Sequence, residues 1–415
     1  MHVLIFEPSY KGHHLAWVSY LLPALTELAD RITLATTAEV PTTEQYEVFI
    51  GAAGIEHAFV SPPYASLRRF GAAGIGAANW WALEKVVRSH RPDHALVPTA
   101  DSTIRGSAVL RAGRRWSGPP VDGGVIGNRF AYSREVLRDR VFGRAVALAA
   151  AAAPFGALNV IDPIGEAWLR RTMPWGARRV RLVPNPVLTV PDISREDARR
   201  ELGLDTSASY VGCTGVMNAR KGIDRLVRAF GALRPGGEER LLLAGKLAPE
   251  VRRALDELDA GARRRVAILD RFLDEREFQL ALLAMDVVAV PYPRHVGSAS
   301  ILIQGVAAAR PILGTGWGWI GQMIRTLGLG WTCDVETPAA LARGLRRAFD
   351  GAEGFGPSEA AARFARYSTV DNFTRTWLGP LARRAGRPLP APLSWSWVLE
   401  AAEAPPAEPR AQRSR

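Results

Sequence analysis

A loop in the middle of the chain combines glycines with two adjacent basic residues. Gly215 is followed by Arg220, Lys221 and Gly222, and this loop lies between the apolar run 210–213 and an amphipathic helical pattern. The start of a helix presents free backbone amides and the positive end of the helix dipole, and the two cations add to that attraction. Such a loop suits a diphosphate, although a solvated basic helix start without a ligand is the alternative. The pattern favours a nucleotide-linked substrate.

A second group of residues suited to phosphate binding lies near residue 300. Ser298, Ala299 and Ser300 follow Gly297 and precede an apolar helical pattern. Small hydroxyl residues at this position can cap the helix while its first amides stay free for a phosphate. We therefore predict that residues 298–300 cradle a diphosphate, with a simple helix cap as the alternative.

The loop after the first apolar run carries a glycine and two histidines. Gly12, His13 and His14 follow residues 3–6, which form the opening strand of the predicted fold. Ligands bind at the carboxyl ends of strands in such sheets, although exposed polar residues at a helix start are the alternative. Adjacent histidines point to different faces of a regular element, and no third ligand is spaced to join them. The sequence predicts no metal site here.

Short apolar runs alternate with amphipathic helical patterns along most of the chain. This alternation predicts an α/β fold of two Rossmann-like doubly wound domains with parallel sheets. The chain has 415 residues, which exceeds one ordinary domain, and the cycle restarts after the segment 180–187. We predict an N-terminal domain over 1–185, a second domain over 186–370, and a C-terminal helix with a disordered tail over 371–415.

The individual elements follow from the same apolar periodicity. Strands are predicted at 3–6, 32–36, 94–98, 121–126 and 157–161, then from 210, and at 241–244, 266–269, 287–290, 312–314 and 330–333. Helices are predicted at 80–89, 105–114, 163–171, 195–202, 224–233, 249–258, 275–284, 299–309 and 338–349. The loops at the carboxyl ends of these strands are the expected ligand-binding positions.

The chain is strongly basic, with a formal net charge of +12. This charge favours anionic ligands or an anionic surface, and a compositional bias toward arginine is the alternative. The basic residues of 263–265 and 343–347 lie in helical patterns without interleaved aromatic residues, so we expect no nucleic-acid partner. Cys213 and Cys333 provide no disulfide framework, which indicates a reducing compartment.

No segment of the sequence has the length and composition of a membrane span. The longest apolar run, 145–155, is too short to cross a bilayer, and the first residues lack a secretory pattern. We therefore expect a cytoplasmic protein, and peripheral association with the inner face of the membrane stays open.

Three segments carry motifs that occur together, in this order, in one enzyme family. Residues 183–187 are similar to the Pro-Asn-Gly-Val signature of that family, and 215–222 to its Gly-Arg-Leu-x-x-x-Lys-Gly element. Residues 285–292 are similar to its Ala-Asp-Val-x-x-x-Pro-Ser strand. The chain thus resembles the GT-B glycosyltransferases of the retaining family 4 type, also called glycosyl transferases group 1. The resemblance implies two Rossmann-like domains that face each other across a cleft, the first on the acceptor side and the second holding the nucleotide sugar.

The resemblance also implies a reaction. A hexose would pass from a nucleoside-diphosphate sugar to an acceptor with retention of configuration, without a metal ion or other cofactor. Gly12 and Gly215 would lie at the donor phosphates, and His13 would face the cleft. Arg220 and Lys221 would stabilise the charge on the departing diphosphate, and the leaving phosphate itself could take the acceptor's proton. The acceptor is unknown from the sequence, and many relatives use lipid-linked acceptors.

Several residues depart from the family pattern at positions that carry chemistry. Val216 stands where the family has arginine, so Arg220 is expected to supply that charge. Val296 and Gln304 stand where relatives carry the two glutamates of the E-x7-E motif. Gln304 can still hydrogen-bond a ribose hydroxyl, and His295 is the candidate for the sugar hydroxyls, with an ordinary loop histidine as the alternative. A catalytically silent GT-B protein that binds a nucleotide sugar or a partner protein is therefore the alternative function.

Two further positions are open in the sequence. The family places a histidine at the end of a middle strand of the first domain, but strand 121–126 ends without one, so His94 and Asp101 are candidates instead. The pair Trp317 and Trp319 either stacks on a sugar ring or packs in a turn before a helix.

Overall fold

The computed structural model describes residues 1–10, 14–110, 116–127, 129–132, 137–234 and 237–403. Gly12 and His13, two of the predicted ligand-binding residues, lie outside these ranges. The chain divides into two compact units. Unit 1 contains Met1–Asn185, Val296–Ser298 and Val370–Pro392, and unit 2 contains Pro186–His295, Ala299–Thr369 and the described chain after residue 392.

Unit 1 contains a parallel sheet of seven strands. They are β1 (His2–Phe6), β2 (Arg31–Thr36), β3 (Glu56–Phe59), β4 (His94–Val97), β5 (Val121–Val125), β6 (Phe155–Val160) and β7 (Val180–Leu182). Their order in the sheet is β3-β2-β1-β4-β5-β6-β7, and every neighbouring pair is parallel. The order reverses between β1 and β4, which is the position where ligands bind in doubly wound sheets.

Helices accompany the sheet of unit 1. They are α1 (His14–Leu28), α2 (Glu44–Phe49), α3 (Tyr64–Leu67), α4 (Gly71–His90), α5 (Asp101–Leu110), α6 (Arg129–Tyr132), α7 (Leu137–Ala152) and α8 (Pro163–Thr172). Strands β1 and β4 are almost wholly buried, which explains their near-continuous apolar sequences.

Unit 2 repeats the same arrangement with six parallel strands. They are β8 (Ser209–Thr214), β9 (Glu239–Ala244), β10 (Val266–Leu269), β11 (Val287–Val290), β12 (Ile312–Thr315) and β13 (Gly330–Cys333), in the order β10-β9-β8-β11-β12-β13. Its helices are α9 (Arg195–Glu201), α10 (Ile223–Gly231), α11 (Pro249–Asp256), α12 (Ala260–Arg264), α13 (Glu275–Ala284), α14 (Ser300–Ala307), α15 (Gly318–Leu327), α16 (Pro338–Ala352) and α17 (Glu359–Tyr367). Two doubly wound α/β sheets were predicted, and the structure confirms them.

The chain after residue 369 forms two helices that belong to different units. Helix α18 (Val370–Arg384) packs on α1 of unit 1, where Trp377 meets Trp17 with ring centroids 6.2 Å apart. Helix α19 (Trp395–Glu403) packs on α17 of unit 2. Segment 371–415 was predicted as one helix with a tail. Its described part forms two helices instead, because α18 packs on a helix of unit 1 and α19 packs on a helix of unit 2.

An aspartate of the 285–292 motif connects elements of unit 2. The Asp286 carboxylate accepts hydrogen bonds from Arg195 Nη1 at 2.5 Å, Arg199 Nη2 at 2.6 Å and the Tyr210 amide at 2.7 Å. Arg199 is only 3% exposed, and it also donates to the carbonyl of Ala284. Buried charges need such complete pairing. The motif therefore holds α9 against the starts of β8 and β11.

Helix α13 begins with a capping box formed by Asp274 and Glu277. The Asp274 side chain accepts from the Glu277 amide at 2.8 Å, and the Glu277 side chain accepts from the Asp274 amide at 3.2 Å. This end matters for the site because α13 carries Gln279, described below.

Asp274→Ala is expected to destabilise unit 2 by about 1 kcal/mol, since an amide at the helix start loses its acceptor. Asp274→Asn keeps a side-chain oxygen and should unfold at nearly the wild-type urea concentration. Equal urea midpoints for the alanine and asparagine variants would contradict a stabilising role for this cap.

Candidate active site

The order of the strands in unit 2 reverses between β8 and β11. The loops that follow these two strands therefore flank the position where ligands bind in such a sheet. One loop is the glycine and basic segment 215–222, and the other runs from Pro291 to Ala299, of which 296–298 cluster with unit 1. The predicted phosphate-binding residues of the second half of the chain all belong to these two loops or to the helices that follow them.

The two loops touch each other at Gly222. This residue has a φ of 70°, and a Cβ built on it would lie 2.2 Å from the carbonyl oxygen of Pro291. Just before it, the Asn218 side chain accepts from the Lys221 amide at 3.1 Å and starts a short 3-10 helix, Ala219–Lys221. Only glycine allows both this backbone conformation and this close approach.

Lys221 is the basic side chain that the loop turns inward. Its Nζ lies 5.8 Å from the ring centroid of Tyr292, and a Cβ built on Gly215 would lie 3.9 Å from that Nζ. Burial lowers the pKa of Lys221, while the nearby Cys213 acts in the opposite direction. An ammonium held in such surroundings gains most from an anionic ligand, because little water competes for it.

The neighbouring residues of the loop point elsewhere. Arg220 is exposed, and Val216, at the position of the family's arginine, is 55% exposed. Gly215 directly follows β8 and has a φ of 91°. The Tyr292 ring also meets His295 at 5.2 Å between centroids, with the rings nearly perpendicular. Within unit 2 the structure thus brings Gly215, Lys221, Tyr292 and His295 together.

Helix α14 begins without a hydroxyl cap. Its cap residue is Ala299, which makes no side-chain cap hydrogen bond, and Ser300 is already inside the helix. Ser298, which clusters with unit 1, accepts from Asn185 Nδ2 at 2.9 Å. The alternative of a simple serine cap does not hold for this helix, because the serines lie one residue to either side of the cap position. The cradle formed by residues 298–300 stays a prediction that concerns their amides.

Gln304 lies on α14 beside a buried glutamine of α13. Gln279 is 2% exposed, and its Nε2 lies 3.5 Å from Gln304 Oε1. This weak contact orients the amide of Gln304, which is only partly buried. Gln304 keeps hydrogen-bonding capacity for a ligand.

Unit 1 places a histidine and a carboxylate at its own point of strand reversal. The buried Glu7, after β1, accepts from His14 Nδ1 at 2.7 Å and from Thr99 Oγ1 at 2.6 Å. Thr99, after β4, also lies 2.9 Å from His14 Nδ1. His14 was not among the predicted catalytic residues, and Glu7 and Thr99 were overlooked. Their position after the first and fourth strands could have indicated them, because ligands bind in such a sheet at the point where the strand order reverses.

The other candidates of the sequence analysis are His94, Asp101 and the two tryptophans, and most of them are engaged by neighbouring groups of the protein. His94 is 1% exposed, lies 3.3 Å from Asp122 and accepts from Arg384 of α18 at 2.9 Å. Asp101 accepts from the amides of Ile126 at 3.1 Å and Gly127 at 2.9 Å. Trp319 is 2% exposed, so it packs in the core, whereas Trp317 is 38% exposed at the start of α15.

A cavity of about 500 Å³ lies beside His14 in unit 1. Its polar lining includes His14, Thr99, Asp101 and Arg105, and its apolar lining includes Phe130. Pockets of this size accommodate small ligands. In the described part of the chain, no three His, Cys, Asp or Glu side chains are grouped so that they could hold a metal ion. The same part of the chain contains no helix with the length and apolar character needed to cross a membrane.

Comparisons with known proteins agree with this geometry. Residues 208–350 match the family model described as glycosyl transferases group 1. Among solved structures, the chain is similar to Anabaena Alr3699/HepE in complex with UDP and glucose, with a TM-score of 0.63 and 16% identity over 92% of this chain and 100% of that one. It is also similar to sucrose-phosphate synthase from Thermosynechococcus elongatus, with a TM-score of 0.69 and 17% identity over 92% and 98%.

A third similar structure is WaaG, a glycosyltransferase involved in lipopolysaccharide biosynthesis. Its TM-score is 0.61 and its identity 14%, over 91% of this chain and 100% of WaaG. A search of curated protein sequences finds no match to this chain. At these identities the structural similarity establishes the fold, and it confirms the GT-B fold class predicted from the sequence.

Proposed function

We propose that the protein transfers a sugar from a nucleoside-diphosphate sugar to a hydroxyl of an acceptor. The proposal is supported by the match of residues 208–350 to the model of glycosyl transferases group 1 and by the GT-B fold of the chain. Apart from residues 296–298, the matched segment lies within unit 2, and it contains both loops at the reversal of strand order. HepE binds UDP and glucose, which makes UDP-glucose the first donor to test.

The observation that carries the proposal is the position of Lys221. Its ammonium lies at the carboxyl end of β8, partly removed from water, beside Gly215 and the Tyr292 ring. Cleavage of the bond between sugar and phosphate builds negative charge on the departing diphosphate. A fixed cation at that point stabilises this charge more in the transition state than in the ground state.

The finer features of the reaction belong to the same proposal. We propose that the sugar is a hexose, that its anomeric configuration is retained, and that Lys221 and Arg220 provide the positive charge without a metal ion. His295 beside Tyr292 is proposed to meet the sugar hydroxyls, and the amides of residues 298–300 to meet the diphosphate. A protein that binds the donor without turnover is the competing function, because Val216 and Val296 replace charged residues of the family pattern.

Calorimetric titration of the protein with UDP-, GDP-, ADP- and dTDP-glucose tests the proposal. The same mixtures, with and without EDTA, are assayed for release of free nucleotide, and proton NMR reports the configuration of the released sugar when hydrolysis is fast. Selective binding with release supports the enzyme. Selective binding without release, in the presence of candidate acceptors as well, supports the binding protein. Absence of binding across the panel contradicts both.

Gln304→Glu is expected to strengthen binding of the preferred nucleotide by up to about tenfold. A carboxylate forms charge-assisted hydrogen bonds to ribose hydroxyls, which are roughly twice as strong as neutral ones, and a gain of about 1.4 kcal/mol is a factor of ten. Gln279 can still donate to the new carboxylate. Calorimetric titration measures the change.

Gln322→Glu is the matched control, because it adds the same charge on the exposed side of α15. It should leave the dissociation constant unchanged. Equal affinities of the wild type and Gln304→Glu would indicate that residue 304 does not contact the ribose.

A further inference from the structure

The two loops at the reversal of strand order in unit 2 contain basic residues but no acidic ones. The loop after β8 contains Arg220 and Lys221, the loop after β11 contains Arg294 and His295, and neither sequence contains Asp or Glu. The proposed transfer uses Arg220 and Lys221 for the diphosphate. Arg294 and His295 are then available for another part of the donor, and basic groups favour a part with negative charge.

Arg294 has a strained backbone conformation. Its φ is 44°, in the left-handed region, and among the described residues other than glycine only Arg91 and Ala309 also have a positive φ. This conformation is costly for a residue with a side chain, and such residues cluster at ligand-binding sites. The preceding Pro293 packs against the loop after β8, because a Cβ built on Gly222 would lie 3.2 Å from its Cδ. The strained position of Arg294 is therefore a fixed feature of the loop.

The guanidinium group of Arg294 has a partner that a ligand can replace. Its Nε donates to Glu336 Oε1 at 2.9 Å, and the Arg294 and Glu336 side chains are 77% and 45% exposed. Ion pairs with this exposure contribute little net stability, because water solvates both charges well when they separate. A carboxylate on a bound ligand can therefore take the place of Glu336 at little cost.

The ring of Tyr292 brings His295 close to the cation of the phosphate site. The His295 ring meets it at 5.2 Å between centroids, and Lys221 Nζ lies 5.8 Å from the centroid of the same ring. Burial raises the pKa of the Tyr292 phenol, so this side chain stays neutral and adds no negative charge. The loop after β11 thus places a histidine and an arginine next to the site proposed for the diphosphate.

The carboxylates that the structure places against these two loops are already engaged. Glu336 accepts from Arg294, and Glu250 accepts from a backbone amide of the loop after β8 at 3.0 Å. Val296 and Gln304 stand where the family pattern has glutamates, so these positions do not repel an acidic sugar. Loss of a repulsive group and gain of an attractive one both shift specificity toward a ligand of opposite charge.

We propose that the sugar of the donor carries a carboxylate, as a hexuronic acid does, and that Arg294 and His295 recognise it. This specificity rests on the glycosyl transfer proposed above, and it narrows the proposed hexose to one with an acid group. Arg294 leaves Glu336 and pairs with the sugar carboxylate, and His295 donates a hydrogen bond to the same group. A guanidinium matches the two oxygens of a carboxylate, whereas a neutral hexose offers only hydroxyls.

Calorimetric titration of the full chain with UDP-glucuronic acid and with UDP-glucose tests this specificity. Both titrations use one ionic strength, about 0.15 M, because salt screens exposed charges. If the binding panel selects another nucleotide, the hexuronic acid and the hexose of that nucleotide replace the pair. We expect UDP-glucuronic acid to bind at least about tenfold more tightly, because charge-assisted hydrogen bonds are roughly twice as strong as neutral ones.

Substitutions of Arg294 assign the preference to this side chain. Arg294→Gln should reduce the preference for UDP-glucuronic acid to less than about threefold, while the dissociation constant of UDP stays unchanged. Arg294→Lys keeps the charge but not the planar fork, so it should retain an intermediate preference. Glu336→Gln removes the competing carboxylate, and it should tighten binding of UDP-glucuronic acid without affecting UDP-glucose. If the ion pair were merely structural, Glu336→Gln would weaken binding of both donors alike.

Arg228→Gln is the matched control. Arg228 also donates from Nε to an exposed glutamate, Glu257, at 2.8 Å, but it lies in the last turn of α10, away from the two loops. Its substitution should leave both dissociation constants unchanged. Affinities of the wild type for the two donors within threefold of each other would overturn the specificity and leave the proposed function intact. A preference that Arg294→Gln and Glu336→Gln both leave unchanged would overturn the role of Arg294. Absence of nucleotide-sugar binding by the wild type would overturn the proposed function itself.

Discussion

Lys221→Met is expected to lower the turnover number for sugar transfer by about 10²- to 10³-fold. Loss of one preorganised donor to a developing negative charge has effects of this size. Methionine preserves the apolar length of the side chain against Tyr292, so the change removes the charge with little loss of packing. Steady-state kinetics with the preferred nucleotide sugar measures the effect.

The same substitution should leave the thermal unfolding temperature equal to that of the wild type or higher. Burial lowers the pKa of Lys221 in the folded protein, so the charged ammonium opposes folding at neutral pH. This penalty is largest below the folded pKa and disappears as the pH rises through the unfolded pKa. A residue that lowers stability but raises activity is typical of a site that awaits an anionic ligand.

Lys85→Met provides a matched control. Lys85 also lies over an aromatic ring, with its Nζ 5.3 Å from the centroid of Trp81, but it belongs to α4 of unit 1. Turnover by this variant should equal that of the wild type. If both methionine variants lose activity equally, or if Lys221→Met retains it, Lys221 does not stabilise the departing diphosphate.

The strands of unit 2 illustrate which elements are predictable from sequence. The buried strand β11 is a continuous apolar run and has the predicted bounds, as β10 and β13 do, whereas β9 begins at Glu239, two residues before the predicted start. Strand β3, Glu56–Phe59, was not predicted because it lies at the sheet edge and buries only Ala58. Strand β7, Val180–Leu182, was not predicted as a strand because it is short and contains Arg181. An edge position alone does not hide a strand, because β10 and β13 lie at the edges of the unit 2 sheet and were predicted; β3 and β7 were missed because they are short and carry charged residues.

The candidate site was predictable where one short segment contains it. Gly215, Lys221 and Gly222 lie within eight positions, and local spacing was enough to suggest a phosphate site. Glu7, His14 and Thr99 are separated by up to 92 positions, and only the strand order brings them together. Tyr292 was included in a motif, but its contact with Lys221 depends on the neighbouring positions of β8 and β11. A site whose residues follow different strands can be predicted only when the order of the strands in the sheet is known.

Gly222→Ala is expected to destabilise unit 2 by about 2 to 5 kcal/mol and to weaken nucleotide binding strongly. A Cβ costs about 1 to 2 kcal/mol at this positive φ. It would also lie 2.2 Å from the Pro291 carbonyl oxygen and 3.2 Å from Pro293 Cδ, so the loop after β11 must move, at a cost of about 1 to 3 kcal/mol. That loop carries Tyr292, against which Lys221 lies. Urea unfolding and calorimetric titration measure the two effects.

Gly203→Ala is the control that introduces the same backbone strain without a steric clash. Gly203 has a φ of 67°, nearly that of Gly222, but a Cβ built on it meets nothing within 4 Å. Its substitution should cost only the 1 to 2 kcal/mol of backbone strain and leave nucleotide binding unchanged. If the two alanine variants lose equal stability and both bind the nucleotide normally, the contact between the two loops does not shape the site. A larger loss at Gly222, together with weaker binding, would mean that the close approach of the loops after β8 and β11 is what holds Lys221 in position for the diphosphate.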